Sequence, residues 1–363
     1  MDLRQRIRAF ATLGSILRHY TSEPPSLLAS ENVPPACLDI LDQAVRDAGS
    51  SNPWFTRDQT VLALKWWGEL LREEGLTSWL KPYHSHLDKT NQCKKIGIIM
   101  AGNIPLVGFH DLLCVLISGN RALVKCSSED DRLIPSLVHC LASADPQLVL
   151  QVEFLPCLIG HIDAVIATGS VNTSRYFEYY YRNLPSVIRT SRTGVAIITG
   201  RESVEDLAGL AFDVFSYYGL GCRNVSHIYV QMEYDFSPLI QAFGKYRKVM
   251  THQPYKNNLD YFRSVFLVTE CPFIDGGCCI LAEDPRPESP VSVLHYTRYT
   301  HQDEVIHEIL TRRDQIQCII AHEDLAPDVI RPGKSQYPGL SDYADGIDTI
   351  SFLCEKLEAS GNP

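Results

Sequence analysis

The residue whose surroundings most favour chemistry is Cys222, which lies in the run GLGCRN, whereas most of the other eleven cysteines lie inside apolar segments. Gly219 and Gly221 allow the backbone to approach a substrate closely, and an amide N–H beside a thiol can stabilise an oxyanion. Arg223 adds a positive charge that favours the thiolate. The run fits a nucleophile and also fits a packed thiol. By contrast, Cys278-Cys279 leads directly into an apolar strand, where we expect packing.

Three further runs place small or polar residues directly after predicted strands, where helix N-termini at the carboxyl edge of a parallel sheet bind anions. Each run alone also has a structural explanation: Ser128 with Asp131 fits a capping box, and Gly169-Ser170 fits a plain helix start. The dinucleotide fingerprint GxGxxG is absent. Three such runs in one sheet, one carrying a lysine, nevertheless indicate a nucleotide site. They are Ala101-Gly102-Asn103, Lys125-Cys126-Ser127-Ser128 and Thr168-Gly169-Ser170.

A cysteine nucleophile beside a nucleotide-binding sheet predicts acyl transfer followed by hydride transfer. Attack on a thioester gives a tetrahedral oxyanion that collapses to an acyl-cysteine, and hydride from a nicotinamide then releases an aldehyde. Both steps need a donor to the oxyanion. Asn103, on the loop after the first strand, offers a side-chain amide N–H for this purpose.

The elements that would position these residues begin with a helical layer. Apolar residues recur at three- and four-residue spacing over 3–20, 36–48 and 56–73, and prolines at 24–25, 34–35 and 53 separate the periods. We therefore predict that residues 1–93 form a helical layer packed on a nucleotide-binding domain.

From Lys94 onward, short apolar runs alternate with helical periods, which predicts parallel βαβ units and a doubly wound α/β domain over 94–200. The end of this domain is set by Thr199-Gly200. The predicted strands are 96–100, 121–125, 148–154, 162–167 and 194–199, and the predicted helices are 106–118, 130–143 and 172–183.

A second α/β unit, over 201–335, is predicted to carry the Cys222 loop, and 336–363 is predicted to return toward the active site. The predicted helices of this unit are 203–217, 236–250, 255–268 and 302–312, and its predicted strands are 226–230, 278–282, 291–297 and 316–320.

Composition limits the classes of protein that remain. With 363 residues, 45% hydrophobic and 21% charged, the chain is predicted to be a globular protein with a large core and two domains. Its net charge of -10, without any Lys/Arg run longer than two, argues against a nucleic-acid footprint. The arginine-bearing N-terminus is read as an amphipathic helix rather than a signal peptide, and no apolar run is long enough to span a bilayer.

The twelve cysteines are scattered, form no CxxC pair and stand in a chain too long to need disulfide stapling. A reducing cytoplasm is therefore the predicted compartment. The adjacent Cys278-Cys279 lacks the second ligand pair of a structural zinc site, and we predict no metal.

Several segments together resemble the LuxC-type long-chain acyl-CoA reductases, a branch of the aldehyde dehydrogenase superfamily. The resemblance extends from about residue 90 to about residue 350, and its motifs are specific in combination. The segments are AGNIPLVGFHDLLCVLISGNRALVKCSSED, IATGSVNTSRYFEYYYRN, YYGLGCRNVSHIYV, SPVSVLHY and QYPGLSDYADGIDT. The resemblance implies an aldehyde-dehydrogenase-like fold, with a Rossmann-like nucleotide domain and a second, catalytic α/β domain.

The same resemblance implies roles for individual positions. Cys222 stands at the place of the superfamily nucleophile, and Asn103 matches the Asn that donates to the oxyanion. Lys125 matches the lysine that reaches the adenosine ribose. The helix start at Thr168-Gly169-Ser170 matches the segment that meets the pyrophosphate, and the remaining cofactor positions are Ala101, Gly102, Ser127, Ser128 and Thr173.

Two departures from the family pattern affect the predicted reaction. Many NAD-preferring aldehyde dehydrogenases have Glu three residues after that lysine, whereas Ser128 stands here and would tolerate a 2′-phosphate, so we predict NADPH in preference to NADH. The strand GVAIITG at 194–200 lacks the Glu that activates water in aldehyde oxidation. An acyl-enzyme that is not hydrolysed favours reduction.

Other side chains leave two interpretations open. The run YFEYYYRN, with Tyr176, Phe177, Tyr179 and Tyr180, fits an acyl channel wall, although ordinary core packing is the favoured interpretation. Arg189 and Arg192 fit either phosphate contacts or a solvated loop. The side chains considered as proton carriers are His110, His161 and His227, and their spacing singles out none of them.

We therefore predict an NADPH-dependent reductase that converts a fatty acyl-CoA, or an acyl-carrier-protein thioester, to the aldehyde through acyl-Cys222. A homodimer is the expected assembly, by analogy with the superfamily. The alternatives are a reductase of a short acyl-CoA or acyl phosphate, a cysteine acyltransferase or thioesterase, and a non-catalytic protein that only binds acyl-CoA.

Overall fold

A computed structural model describes residues 1–22, 33–87, 93–158, 161–326 and 328–356. The chain divides into two compact units, one formed by Met1–Thr190 with Gly339–Pro363 and the other by Ser191–Pro338. The break predicted at Pro24-Pro25 lies outside the described residues. Within the described ranges, no helix is both long and apolar enough to cross a membrane, and no group of three or more His, Cys, Asp or Glu side chains is placed to hold a metal ion.

The first unit begins with the predicted helical layer. A capping box between Asp2 and Gln5 starts the first helix, whose apolar face packs on the third helix so closely that a Cβ on Gly14 would lie 2.5 Å from the carbonyl oxygen of Leu71. The helices are α1 (Leu3–Thr21), α2 (Pro35–Ser51), α3 (Arg57–Leu70), α4 (Glu73–Leu80) and α5 (His84–Leu87), with a 3₁₀ turn at Lys81–Tyr83.

The single helix predicted over 56–73 is wrong in one respect, because the chain breaks at Leu71 and Arg72 into α3 and α4. Leu71 is fully buried, and Arg72 adopts extended backbone angles. The break turns the chain so that Leu76, Trp79 and Leu80 also reach the core, which one straight helix would not allow.

A five-stranded parallel sheet forms the centre of the first unit, in the order β3-β2-β1-β4-β5. From β1 the chain adds β2 and β3 on one side of the sheet and then β4 and β5 on the other side, so the topological switch point lies between β1 and β4. The strands are β1 (Lys95–Ile99), β2 (Arg121–Lys125), β3 (Val152–Phe154), β4 (Ala164–Thr168) and β5 (Ser186–Arg189). The connecting helices are α6 (Phe109–Ile117), α7 (Leu133–Ala144), α8 (Pro146–Val149) and α9 (Val171–Tyr180), and α1 and α2 pack on α7.

Two sequence predictions in this sheet need correction. The strand predicted over 148–154 is divided between α8 and β3, because Pro146 follows the capping Asp145, whose side chain accepts a hydrogen bond from the Gln147 N–H. The strand β5 was not predicted, since its four residues follow a polar turn and carry an arginine.

The second unit contains a seven-stranded sheet in the order β12-β11-β6-β7-β10-β9-β8, parallel throughout except for the β8–β9 pair. Its strands are β6 (Thr193–Ile198), β7 (Val225–Gln231), β8 (Phe273–Asp275), β9 (Ile280–Glu283), β10 (Val293–Tyr299), β11 (Ile316–Ala321) and β12 (Val329–Ile330). Its helices are α10 (Val204–Phe215), α11 (Ser237–Phe243), α12 (Gln253–Val268) and α13 (Gln302–Thr311), with 3₁₀ segments at Ser216–Gly219 and Gly244–Thr251.

The strand predicted over 194–199 forms as β6, but it pairs with β7 and β11 of the second sheet, whereas the sequence prediction placed it in the nucleotide segment 94–200. The helix predicted over 236–250 becomes α11 followed by a 3₁₀ segment, and the short strands β8 and β12 were not predicted. The compact unit of the first sheet also includes Gly339–Pro363, whose described part holds a 3₁₀ turn at Ala344–Gly346, the short helix α14 (Thr349–Ser351) and a π-type turn at Phe352–Lys356.

Candidate functional site

The three runs predicted to bind a nucleotide lie at one edge of the first sheet. Ile99 is in register with Lys125 on one side and with Ala167 on the other, so β1, β2 and β4 end side by side. The Met100 N–H donates to the Lys125 carbonyl at 3.0 Å and extends this pairing into the loops. Ligands of open α/β sheets bind at this edge, beside the switch point.

The loop after β1 requires glycine at one position. A Cβ on Gly102 would lie 2.6 Å from the Ser127 side chain, so the loops after β1 and β2 approach each other with no room for a side chain there. Ala101 is half-buried beside it, and Asn103 is exposed at the next position.

The loop after β2 is held by a carboxylate that the sequence reasoning did not single out. Asp130 accepts hydrogen bonds from the Leu106 N–H at 3.0 Å and the Leu133 N–H at 3.4 Å, and its burial raises its pKa to about 6. The capping box predicted for Ser128 and Asp131 is therefore wrong: α7 begins at Leu133, three residues after Asp130.

The side chains of this loop that face solvent differ in what they contact. Ser127 Oγ accepts the Glu129 N–H at 3.2 Å, so this hydroxyl shapes the turn, whereas Ser128 is exposed. Lys125 is half-buried, and its side chain makes no hydrogen bond or ion pair with any residue that the structure describes. Its ammonium group is available to an anionic ligand.

The loop after β4 opens directly into α9. Ser170 is the N-cap, and its hydroxyl lies 3.3 Å from the Thr173 N–H and 2.9 Å from the Thr173 hydroxyl. The Gly169 N–H donates to the Arg189 carbonyl at 3.2 Å, which ties the loop to β5. This run therefore forms the helix start that was one of its two interpretations. The same helix N-terminus places the positive end of the α9 dipole at this edge of the sheet, where anions bind favourably.

The arginines considered for phosphate contacts have other partners. Arg189 is buried in β5 and forms an ion pair with Asp111, with N–O distances of 2.7 and 2.6 Å, while its other terminal nitrogen donates to the Thr349 hydroxyl at 2.8 Å. Both interpretations offered for Arg189, a phosphate contact and a solvated loop, are therefore wrong. Arg192 is half-buried and donates to the Arg313 carbonyl at 3.3 Å.

The histidines considered as proton carriers are placed differently from one another. Burial lowers the pKa of His110 and lowers that of His227 to about 4, and each ring contacts a backbone carbonyl, that of Leu340 for His110 and that of Arg286 for His227. His161 is exposed, 3.4 Å from Asp163. Both rings are thus held by a backbone carbonyl, and the lowered pKa values favour the neutral imidazole.

In the second unit, the segment before Cys222 has an unusual backbone. Tyr217 and Tyr218, both buried, have φ values of 49° and 57°, and Gly219 follows at 79°. Left-handed angles at two consecutive tyrosines are costly and persist only where the surrounding structure enforces them. Ring stacking supplies part of that constraint, since the Tyr218 and His252 ring centroids are 4.2 Å apart.

Cys222 itself lies half-buried in the loop between this segment and β7. Asn224 holds the loop together: its side-chain oxygen accepts the Gly221 N–H at 2.8 Å, and its amide group donates to the carbonyls of Asp213 and Ser216, each at 2.8 Å. Because Asn224 is buried, these bonds have no competition from bulk water. The loop is therefore a built structure rather than a mobile connection.

Arg223 is fixed on the other side of the same loop. Its Nε donates to the Ser335 carbonyl at 2.6 Å, and its charge lowers the pKa of Asp213, which burial nevertheless raises to about 6. The Asp213 carboxylate accepts hydrogen bonds from the Gly333 N–H at 2.6 Å and from the Ser335 N–H and hydroxyl at 3.1 and 2.8 Å. The loop after β12 is thus tied to the thiol loop through Asp213 and Arg223.

The buried cysteines of the second unit differ from Cys222 in their settings. The twelve cysteines, all within the described ranges, form no disulfide with one another. Cys278 and Cys279 are buried and burial raises both pKa values, as expected for packed thiols. Cys318 on β11 lies with its sulfur 3.6 Å from the Arg223 carbonyl, and burial raises its pKa to about 12.

The tyrosines of α9 correct a further prediction. Tyr176, Tyr179 and Tyr180 are 64, 64 and 72% exposed, so the favoured core-packing interpretation is wrong for these three side chains. Phe177 and Tyr181 of this run turn inward and pack against the buried cluster that contains Leu123 and Val165.

Comparison with known proteins decides the family. The profile of the acyl-CoA reductase (LuxC) family matches residues 40–242, more than half of the chain. This chain belongs to the acyl-CoA reductase (LuxC) family. The matched region includes both the sheet edge predicted to bind a nucleotide and the Cys222 loop, and the resemblance stated from the motifs is confirmed.

Curated relatives of this LuxC-family chain are long-chain acyl-protein thioester reductases. That of Vibrio harveyi is 23% identical over 251 residues, which cover 62% of this chain and 51% of the relative. Reductase 2 of Photobacterium leiognathi is 21% identical over 243 residues, covering 58% of this chain and 49% of the relative. The chain thus matches these relatives over about half of their length.

Solved structures confirm the predicted aldehyde-dehydrogenase-like fold. Aldehyde dehydrogenase 21 of Physcomitrella patens superposes with a TM-score of 0.64 at 11% identity, covering 98% of this chain and 85% of that protein. The NAD-dependent aldehyde dehydrogenase of Sinorhizobium meliloti gives a TM-score of 0.59 at 13% identity, covering 90% and 72%.

In this LuxC-family chain, the sequence reasoning found the thiol and the strand ends but missed the groups that hold them. The missed residues are Asp130, Asp213 and Asn224, which are polar and almost fully buried. Asn224 could have been noted, since it stands two residues after Cys222. The partners of Asp130 and Asp213 are backbone N–H groups, with the Ser335 hydroxyl in addition for Asp213, and backbone partners leave no mark in the sequence.

Proposed function

We propose that this protein reduces a fatty acyl thioester to the aldehyde with NADPH, through an acyl-thioester on Cys222. The observation that supports this proposal most is the setting of Cys222. Its loop begins with strained backbone and is held by three buried hydrogen bonds of Asn224. A stability role alone does not account for strain and buried polar groups gathered beside one half-buried thiol.

The first half of the proposed reaction is acyl transfer. The Cys222 thiolate attacks the thioester carbonyl carbon, the carbonyl oxygen takes the negative charge, and collapse expels the donor thiolate and leaves the acyl group on sulfur. We assign Asn103 as a donor to the oxyanion, on the family pattern. Arg223 is held by the Ser335 carbonyl, and its positive charge is adjacent in sequence to the thiol.

The residues at the carboxyl edge of the first sheet fit a nicotinamide dinucleotide. Gly102 lets two loops approach each other, Ser170 and Thr173 open the helix dipole of α9, and Lys125 has an ammonium group without a described protein partner. A bound NADPH would supply the hydride that reduces the acyl group. Ala101, Ser127, Thr168 and Gly169 complete the proposed binding edge.

We propose NADPH rather than NADH because the position occupied by Glu in many NAD-preferring relatives is the exposed Ser128, close in sequence to Lys125. A serine hydroxyl can donate a hydrogen bond to a neighbouring 2′-phosphate, whereas a carboxylate would repel it. A kcat/KM with NADPH that exceeds that with NADH supports this choice, and equal use of both cofactors would contradict it.

Reduction is favoured over hydrolysis of the acyl-enzyme by the end of β6. Residues 194–200 include no carboxylate, and the nearby Glu202 accepts hydrogen bonds from the N–H groups of Thr199 and Gly200 at 2.7 and 2.9 Å. Both oxygens of this carboxylate are thus occupied by backbone donors. The acyl donor is proposed to be a CoA or carrier-protein thioester, the latter because the curated relatives are named for acyl-protein thioesters.

The test follows NADPH absorbance and thiol release in parallel for wild type, Cys222→Ala and Cys222→Ser, with long-chain acyl-CoA and acyl-carrier-protein substrates. Because the thiolate forms the acyl-enzyme, we expect both variants to lose NADPH oxidation and thiol release together. Cys271→Ala, which removes an exposed thiol from the same unit, is the matched control and should retain wild-type rates.

Three outcomes contradict the proposal in different ways. Turnover retained in Cys222→Ala removes Cys222 as the nucleophile. Thiol release without NADPH, dependent on Cys222, assigns a transferase or hydrolase instead. Wild-type protein that releases no thiol and oxidises no NADPH with any of these substrates rules out the reaction itself.

A further inference from the structure

A basic strip lies next to the thiol loop in an otherwise acidic chain. Residues 236–259 contain no Asp or Glu, although the whole chain has a net charge of -10. The members of the basic strip are Lys245, Arg247, Lys248 and Lys256. Such a concentration of one sign of charge creates a local field that attracts a partner of the opposite sign.

The strip is exposed to solvent, and three of its four cations have no carboxylate partner within the described ranges. All four side chains are exposed, and Lys245, Arg247 and Lys256 form no ion pair with any residue in the described ranges. The carboxylates that border the segment are already engaged: Asp235 accepts the Ser237 N–H and hydroxyl, and Asp260 pairs with Arg263. The charges of Lys245, Arg247 and Lys256 are therefore open to an anionic partner.

Aromatic stacking connects the strip to the segment that leads into Cys222. Tyr246 stacks on Phe215 with ring centroids 5.4 Å apart, and His252 stacks on Tyr218 at 4.2 Å. Tyr218 precedes Gly219 directly and Cys222 by four residues. A partner held by the strip would consequently be bound beside the proposed nucleophile.

We propose that the basic strip is the docking surface for an acidic acyl-carrying protein that delivers its thioester to Cys222. This inference rests on the proposed function and names the class of donor. A protein is favoured over CoA because the cations are hydrated and spread over twelve residues of chain. Exposed charges of this kind steer a macromolecule, whereas a CoA phosphate site needs desolvated, convergent donors.

The test compares the full-length wild type with K245E/R247E/K256E. The matched control R4E/R8E/K65E reverses three exposed charges in the other compact unit and changes the net charge equally. The probe is an acidic acyl carrier protein that bears a hexadecanoyl thioester, and its binding is measured by surface plasmon resonance over a series of salt concentrations. We expect the strip variant to bind about tenfold more weakly and to lose most of the salt dependence, with the control unchanged.

Turnover supplies a second readout. In the strip variant, KM for the acyl carrier protein is expected to rise about tenfold at unchanged kcat, while KM for hexadecanoyl-CoA and for a neutral N-acetylcysteamine thioester stays at the wild-type value. Circular dichroism and thermal melting, unchanged relative to wild type, establish that the variant is folded.

Several results would overturn this surface. They are wild-type protein that does not bind the acyl carrier protein, equal weakening in the control variant, and binding by the strip variant at wild-type strength. A rise in KM for hexadecanoyl-CoA by the same factor would assign the strip to CoA phosphates instead. The two proposals can be disproved independently. Binding that depends on the strip, without any turnover by the wild type, would contradict the proposed reaction alone. Normal turnover of the acyl carrier protein by the strip variant would contradict the docking surface alone.

Discussion

Asn224 shows how one buried side chain can set the geometry of a reactive loop. Its side-chain oxygen accepts the Gly221 N–H of the loop that holds Cys222, and its amide group donates to the Asp213 and Ser216 carbonyls at the end of α10 and the start of the 3₁₀ segment. A side chain of another shape cannot match two carbonyls and one N–H at once. The position of the thiol is thus fixed by a residue that need not touch the substrate.

Replacing Asn224 by alanine would leave a buried N–H and two buried carbonyls without their partner. We expect Asn224→Ala to lower the free energy of unfolding by about 2 to 4 kcal/mol, from the cost of unmade buried hydrogen bonds. We also expect kcat to fall while KM changes little, because the thiol is misplaced after the substrate has bound. Urea denaturation and steady-state kinetics measure the two effects.

Two further variants, Asn224→Asp and Asn183→Ala, are compared with Asn224→Ala. The aspartate retains an acceptor for the Gly221 N–H but cannot donate to the carbonyls, so it should be no more stable than the alanine variant. Asn183 is exposed and makes no side-chain hydrogen bond in the described structure, so its loss should be neutral. Wild-type stability in Asn224→Ala would show that the three bonds do not hold the loop.

At the scale of elements, the segment after Gly339 is fastened to the first unit by polar groups. Tyr343 receives a hydrogen bond from the Trp79 indole at 2.9 Å, Asp348 receives one from the Tyr83 hydroxyl at 2.7 Å, and Thr349 receives one from Arg189 at 2.8 Å. The stretch YADGIDT at 343–349, quoted above as part of a family motif, therefore attaches this segment to α4, the adjoining 3₁₀ turn and β5 of the same unit through side-chain hydrogen bonds.

The Arg189–Asp111 pair at this attachment gives a prediction with an internal contrast. Asp111→Ala would leave the buried Arg189 guanidinium without its counter-charge, and we expect a loss of about 3 to 5 kcal/mol. The double variant Asp111→Leu/Arg189→Met should lose less than Asp111→Ala, because no unpaired charge remains. Urea denaturation gives the three free energies.

The exposed pair Arg121–Glu153 is the matched control, with side chains 40 and 46% exposed. Its disruption by Arg121→Met should cost about 1 kcal/mol or less, because water screens the pair. Two results would contradict the role given to burial: a similar loss of unfolding free energy when either ion pair is disrupted, or a double variant that is less stable than Asp111→Ala.

The contrast between these pairs also explains which elements the sequence predicted. Strands such as β1 and β2 were located to within a residue, because a buried parallel strand is a continuous apolar run. β5, with Arg189, was missed because a buried arginine cannot be told from an exposed one without knowing that Asp111 faces it. The same is true of the candidate site. Cys222 can be recognised from the neighbouring glycines in the sequence, whereas the roles of Asp130 and Asp213 depend on burial by residues distant in the chain.

At the scale of the whole molecule, a buried histidine and a buried aspartate change the free energy of unfolding in opposite directions as the pH falls. Burial lowers the pKa of His227 from 6.5 to about 4 and raises that of Asp213 from 3.8 to about 6. The depressed histidine contributes stability that is present above pH 6.5 and is lost as the pH falls toward 4. The raised aspartate contributes stability that is present below pH 3.8 and is lost as the pH rises through about 6.

Single substitutions separate the two contributions, each about 3 kcal/mol at most over this window. His227→Asn retains a donor for the Arg286 carbonyl but cannot take a proton, so it should gain stability relative to wild type as the pH falls from 6.5 to 4. Asp213→Asn removes the ionisable group that favours the folded state in acid, so over the same range it should lose stability relative to wild type. Urea denaturation across this range measures the free energy of unfolding of both variants relative to wild type. If the two differences changed in the same direction as the pH falls, the assignment would be refuted, because pKa values shifted in opposite directions must give opposite trends.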